Sequence, residues 1–188
     1  MRGLFTGEHE LSLDDKKRLM IPRDVRNQLD PEADGDGFYL VIGANKRLSL
    51  YTERRFEQLS RALNQPSALP DQNFRAFELM HYGLATMVKP DSVGRITLND
   101  KQVRRSGLAK EVTLVGVGDH LEIWNRDDWE RHVEASLTQY DQILQSARQA
   151  LPAGQMGAAS ASAAHGGAAG REAPATRPIP AIGEPQGL

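Results

Sequence analysis

The stretch Asp14-Asp15-Lys16-Lys17-Arg18-Leu19-Met20-Ile21-Pro22 returns 77 positions later as Asp91-Ser92-Val93-Gly94-Arg95-Ile96-Thr97-Leu98-Asn99. Both copies read Asp-x-x-x-Arg, then apolar, any, apolar, and a residue suited to starting a helix. The match extends beyond the motifs. Residues 38–56 (FYLVIGANKRLSLYTERRF) align with residues 111–129 (EVTLVGVGDHLEIWNRDDW) at an offset of 73. In that alignment Gly43 meets Gly116, Leu48 meets Leu121, Tyr51 meets Trp124 and Phe56 meets Trp129. The fall in offset gives the first copy four extra residues, which we place in 31–37. An internal repeat constrains a fold more than any local propensity, because each copy must form the same unit.

Each copy reads as a strand, a polar turn, a second short strand, a short helix, a hairpin and a closing helix. In the first, residues 8–13 alternate with Leu11 and Leu13 on one side, the pattern of a half-buried strand. Residues 14–17 form the turn and 18–21 resume extended structure. Pro22 fits the first helical position, where a missing N–H costs nothing, with Val25 and Leu29 as the apolar edge. Residues 38–42 and 48–51 flank Gly43-Ala44-Asn45-Lys46 as a hairpin. Thr52 can cap a helix bearing Phe56, Leu59 and Leu63. Residues 64–71, with Pro66 and Pro70, read as a connector. A helix marked by Phe74, Phe77 and Met80 then links the copies.

In the second copy residues 84–89 form the opening strand, which Pro90 ends by offering no N–H. Gly94 can take the positive φ of a tight turn. Asn99-Asp100-Lys101-Gln102 has the spacing of a capping box, opening a short helix with Val103. Residues 112–117 and 121–124 repeat the hairpin. One last helix carries Trp129, Val133, Leu137, Tyr140 and Leu144. Residues 152–188 are rich in Ala, Gly and Pro and lack an apolar period. Such a tail buries too little surface to offset its ordering entropy, so disorder is expected.

Composition narrows the chemistry. The chain has no cysteine, so disulfides, thiolate metal sites and thiol catalysis are excluded. The N-terminus lacks an apolar run of signal-peptide length, and nothing approaches the roughly 20 apolar residues of a membrane span. A cytoplasmic protein is expected. The five histidines show no ligand spacing, and His120-x-Glu122 lacks the cysteines a zinc deaminase needs. Gly116-x-Gly118 precedes a strand where a dinucleotide loop would open a helix. We therefore expect no enzyme, no metal and no cofactor.

Net charge is −2, so nucleic-acid binding would need basic residues gathered in one place. They are. Lys16, Lys17, Arg18, Arg23 and Arg26 crowd the first motif, and Arg95, Lys101, Arg104, Arg105 and Lys110 the second, while acids gather at 30–36 and 127–134. A guanidinium offers a planar fork for a guanine edge or a phosphate. An aspartate four residues back, across a turn, can hold that fork in one pose. Asp14 and Asp91 are therefore read as orienters of Arg18 and Arg95, with Lys16, Lys17 and Arg23 supplying phosphate charge.

The pattern Asp14-x-Lys16-x-Arg18-x-x-Ile21-Pro22, its echo Asp91-x-x-Gly94-Arg95, the run Gly107-Leu108-x-Lys110-Glu111-Val112-x-Leu114-Val115-Gly116 and Leu121-Glu122-x-Trp124 resemble the bacterial MraZ family over about residues 1–145. The resemblance implies a mainly β, α+β fold of two tandem AbrB-like swapped-hairpin modules forming one pseudo-twofold barrel. Its implied boundaries are repeat 1 at 5–54, linker helices at 55–81, repeat 2 at 82–126, a C-terminal helix at 127–150 and the tail at 151–188. It implies a homo-oligomeric ring and binding to double-stranded DNA, at G-rich direct repeats upstream of the division and cell-wall gene cluster and of the family's own gene. It also implies a nucleoid-associated regulator. The motif maps onto Asp14, Arg18, Asp91 and Arg95. Lys17 stands where the family usually has Gly, which leaves three readings open: strain if the turn needs positive φ, a different turn, or an added phosphate contact. The competing reading is a structural or protein-interaction ring without DNA specificity.

Overall fold

The computed structural model describes residues 4–63 and 72–150. The connector at 64–71 and the tail from 151 lie outside them. In chain order the elements are β1 (Glu8–Ser12), β2 (Arg18–Met20), α1 (Arg23–Arg26), α2 (Pro31–Asp34), β3 (Phe38–Ile42), β4 (Leu48–Thr52), α3 (Glu53–Leu63) and α4 (Gln72–Gly83). The second copy comprises β5 (Thr86–Val88), β6 (Arg95–Thr97), α5 (Asp100–Ser106), β7 (Glu111–Gly116), β8 (Leu121–Asn125), α6 (Arg126–Thr138) and α7 (Tyr140–Ala150). Both repeats lie in one body that ends at Tyr140, and α7 is the described part of a second.

The strands pair across the repeats. Six form an antiparallel sheet in the order β1-β7-β8-β4-β3-β5, and β2 pairs with β6 as a separate ribbon. Exchanging each element for its counterpart reverses the order and leaves it unchanged, so the sheet has a pseudo-twofold axis. The register locates it. At the seam Ser49 faces its own counterpart Glu122, and in the ribbon Leu19 faces its own counterpart Ile96. The first strand of each copy is lodged beside the hairpin of the other, β1 on β7 and β5 on β3, as the swapped-hairpin resemblance implies.

The expected barrel does not close. β1 and β5 are the two edges of the sheet. β2 and β6 pair with each other as the separate ribbon, so neither bridges those two edges.

The register also corrects the repeat alignment. In β3 and β4 Phe38 faces Thr52, and in β7 and β8 Val112 faces Asn125. Thr52 and Asn125 are 73 apart, but Phe38 and Val112 are 74 apart. One of the four extra residues therefore falls in the first hairpin's loop, at Ala44–Lys46, where Asn45 and Lys46 take positive φ. The remaining three precede β3, where Asp30 caps α2 by accepting from the Glu32 N–H at 3.0 Å.

The central strands are buried on both sides, hence near-continuous apolar runs, while β1 alternates exposed and half-buried as an edge with one wet face. Leu19, Ile21, Val25, Leu40, Leu48 and Leu50 share one core with Ile96, Leu98, Leu114, Leu121 and Ile123. At the seam two stacks obey the same twofold relation. Arg47 lies 3.3 Å over the Trp124 ring, and its counterpart His120 stacks on Tyr51 at 4.6 Å.

Local chemistry sets the helices. α5 opens on the expected capping box, with the Asn99 side chain accepting from Gln102 N–H and Gln102 reaching back to Asn99 N–H. Gly107 ends it in the left-handed region. Pro22 is the residue before α1 and not its first member, because its ψ of 147° is extended. Thr52 ends β4, and its hydroxyl donates to Asp34 at 3.4 Å. Of the stripe expected on α3, Phe56 is buried and Leu59 and Leu63 half-buried. The single last helix is in fact two, because Gln139 leaves helical geometry at φ −115°, ψ 13°. Leu137 and Tyr140 are exposed, so that stripe is not a continuous buried face.

Candidate nucleic-acid interface

The two motifs build the same turn. Asp14 Oδ1 accepts the backbone N–H groups of Lys16 and Arg18, both at 2.9 Å. The turn is closed by Asp14 N–H donating to Arg18 O at 3.1 Å and Lys17 N–H to Asp14 O at 2.8 Å. Asp91 repeats each contact, accepting from Val93 N–H at 3.0 Å and Arg95 N–H at 2.9 Å. A short side chain that accepts its own downstream N–H groups is why aspartate suits the first position.

The other carboxylate oxygen holds the arginine. Asp14 Oδ2 accepts from Arg18 Nε and Nη2, both at 2.7 Å. Asp91 Oδ2 accepts from Arg95 Nε at 2.9 Å and Nη2 at 2.8 Å. A guanidinium has five N–H groups in a rigid plane. Two are spent on the aspartate, so the Nη1/Nη2 edge keeps three and faces a fixed direction. These bonds also set the acids' ionisation. The bond from the Arg18 side chain, then that from its backbone, holds Asp14 below the usual carboxylate range. The Arg95 backbone N–H, then its side chain, lowers Asp91 to about 2.

The ribbon aims both forks the same way. Side chains alternate along a strand, so Arg18 and Met20 share a face while Leu19 points to the other. Arg18 faces Thr97 and Met20 faces Arg95. Arg18, Met20, Arg95 and Thr97 therefore make up the outer face, and Leu19 and Ile96, fully buried, the inner one. The arginines are diagonal neighbours, roughly 7–8 Å apart at that register, related by the pseudo-twofold axis. Burial of Leu19 and Ile96 anchors the ribbon by about 1.5–3 kcal/mol each.

The third spacer position shows why glycine suits this turn. Gly94 has φ +96°, and Lys17 has φ +56°, so the two turns share a left-handed third position and the first holds a non-glycine residue there. Each also locks the other copy. Ile21 N–H donates to Gly94 O and Leu98 N–H to Lys17 O, both at 2.9 Å. The Lys17 ammonium pairs with the exposed Asp100, a bond that lowers the Asp100 pKa. Its charge is thus partly neutralised by the second repeat. Lys16 and Arg23 are exposed, beside the first turn and at the start of α1.

Sequence reasoning singled out seven residues here: Asp14, Lys16, Lys17, Arg18, Arg23, Asp91 and Arg95. The structure brings Arg18 and Arg95 onto one face with their aspartates. It adds Arg26, whose Nε donates to Ile21 O at 3.1 Å. A β-carbon on Gly94 would come within 2.7 Å of that nitrogen. Arg26 was visible only as one of a basic cluster, and nothing local tied it to a turn 68 positions away.

Among the described residues no group of His, Asp or Glu could hold a metal ion, and no helix is long and apolar enough to cross a membrane.

Comparison with known proteins gives one consistent answer. Residues 4–77 and 82–151 match the family described as "MraZ protein, putative antitoxin-like". The transcriptional regulator MraZ of Dictyoglomus thermophilum is 34% identical over 127 residues, covering 68% of this chain and 83% of that protein. That of Pediococcus pentosaceus is 34% identical over 145 residues, covering 76% and 96%. That of Mycoplasma mobile is 29% identical over 125 residues, covering 66% and 82%. With both repeats matched and the identity spread over most of its length, the chain belongs to the MraZ family.

Proposed function

We propose that this chain is a sequence-specific DNA-binding transcriptional regulator, and that Arg18 and Arg95 read guanine edges in the major groove. One observation carries the reading: two clamped guanidinium forks on a single exposed ribbon face. The major groove, about 12 Å wide, admits a two-stranded β-ribbon, and an arginine fork there matches guanine O6 and N7. Asp14 and Asp91 hold the forks, and Lys16, Lys17 and Arg23 contact phosphate. The relatives are named transcriptional regulators, which supports the same reading.

The operator we propose is a set of G-rich direct repeats upstream of the chain's own operon in the division and cell-wall gene cluster. A ribbon of six residues on a chain of net charge −2 binds weakly alone. A homo-oligomeric ring presenting several ribbons to repeated sites gains by effective concentration. The protein then works in the cytoplasm, at the nucleoid. A salt titration of binding to the repeats tests this. Affinity should fall linearly on log–log axes, with a slope set by the phosphates neutralised. A ring that only assembles would shift no duplex in a sequence-dependent way.

A further inference from the structure

Arg18 and Arg95 each have a carboxylate partner, and Lys17 has Asp100. Arg26 has none among the described residues. It is the last residue of α1, half-buried. Its Nε donates to the carbonyl of Ile21, the residue whose own N–H bonds Gly94 O at 2.9 Å. Its side chain lies against Gly94: a β-carbon there would meet Nε at 2.7 Å, Cζ at 2.8 Å and Cδ at 2.9 Å. A first-repeat cation is thus held against the second repeat's turn, next to Arg95. One backbone carbonyl fixes its head, and among the described residues neither terminal nitrogen has a hydrogen-bond partner.

The counterpart positions make this arrangement informative. Arg26 corresponds to Val103 and Gly94 to Lys17, each 77 apart. In the first turn the cation comes from within, as Lys17, and the residue from the other repeat is apolar Val103, packed on the core. In the second turn the spacer is Gly94, with Ser92 and Val93 before it, so the turn brings no cation of its own. Arg26 fills that space from across the pseudo-twofold axis.

We propose that Arg26 binds a backbone phosphate of the duplex whose base edge Arg95 reads, supplying the second turn with the phosphate cation it lacks. This rests on the DNA-binding reading above. An arginine is suited to the task, since it presents parallel N–H groups to phosphate oxygens. A guanidinium held in place by Ile21 O and Gly94 needs little reordering to do so.

The test is fluorescence anisotropy of full-length wild type, Arg26→Gln and Arg26→Lys. Two labelled duplexes are titrated over a range of salt, one carrying the upstream direct repeats and one of random sequence. Arg26→Gln should weaken binding by the same factor on both duplexes and lower the log–log salt slope by about one per site engaged. Arg26→Lys keeps the charge and should keep the wild-type slope. An unchanged slope in Arg26→Gln would overturn the proposal. So would a fallen slope in Arg26→Lys, or a loss confined to the repeat duplex, which would make Arg26 a support for Arg95. Failure of the DNA reading itself looks different: wild type would then show no preference between duplexes.

Discussion

Gly94→Ala is the sharpest structural perturbation of the interface, because two independent costs fall on one methyl group. Gly94 sits at φ +96°, and forcing an L-residue into such a region costs about 1–3 kcal/mol. The methyl would also arrive 2.7–2.9 Å from three atoms of Arg26. Arg26 must move, giving up its bond to Ile21 O, worth about 0.5–1.5 kcal/mol. Against this, the unfolded chain loses freedom, which returns about 0.4–1 kcal/mol. The net expectation is a loss of about 2 kcal/mol. Urea unfolding at fixed protein concentration reads it as a fall in midpoint of about 1 M, for a slope near 2 kcal/mol/M. The matched control is Lys17→Gly. It relieves about 1–2 kcal/mol of left-handed strain, but costs about 0.5–1 kcal/mol through the freer unfolded chain and gives up the exposed Lys17–Asp100 pair. That variant should stay within about 1 kcal/mol of wild type. A Gly94→Ala midpoint equal to wild type would refute the reasoning, as would a Lys17→Gly loss as large as that of Gly94→Ala.

Leu19→Ala removes the inner anchor of the ribbon, a side chain with no exposed surface, and should cost about 2–5 kcal/mol in denaturant unfolding; a loss under about 1 kcal/mol would mean the ribbon is not held by its core. The Asp91 carboxyl should titrate near pH 2 by carbon NMR. Its folded pKa lies below the ordinary 3.8, so its contribution to stability is complete above about pH 4 and lost as pH falls through 2; a midpoint at 3.8 would show that neither the Arg95 backbone N–H nor its fork is bonded to Asp91. Arg18→Ala should cut discrimination between operator and mismatched duplexes by about 1–3 kcal/mol if the fork reads a base; equal weakening on every sequence would reassign it to phosphate.

Much of the frame was legible because the repeat is written in chemically specific residues. Asp-x-x-x-Arg needs each partner for a stated bond, and Asn99-x-x-Gln102 encodes its cap locally. The hairpins announced themselves by apolar runs around turn residues. The swap of opening strands came from the family resemblance, since alternation in β1 says nothing about which neighbour it takes. Closure into a barrel was beyond reach for the same reason: it depends on what the edges β1 and β5 meet. The one-residue register of the first hairpin lies in the loop at Ala44–Lys46, where Gly43 and Gly116 invited the wrong alignment. Lys17–Asp100 and Arg26–Gly94 join positions 83 and 68 apart, and no periodicity carries information over that distance. The break at Gln139 falls in Ser136-Leu137-Thr138-Gln139-Tyr140-Asp141, where an apolar period runs on and no proline or glycine marks an end.

Photocrosslinking tests the central claim most directly. A benzophenone side chain is placed in turn at Met20 and Thr97, on the ribbon's outer face, and at Glu130, exposed on α6. With the repeat duplex bound, positions 20 and 97 should crosslink, and the Arg18→Ala, Arg95→Ala double variant should lose the signal. Crosslinking through position 130, with positions 20 and 97 silent, would contradict the assignment of the ribbon as the surface that meets DNA.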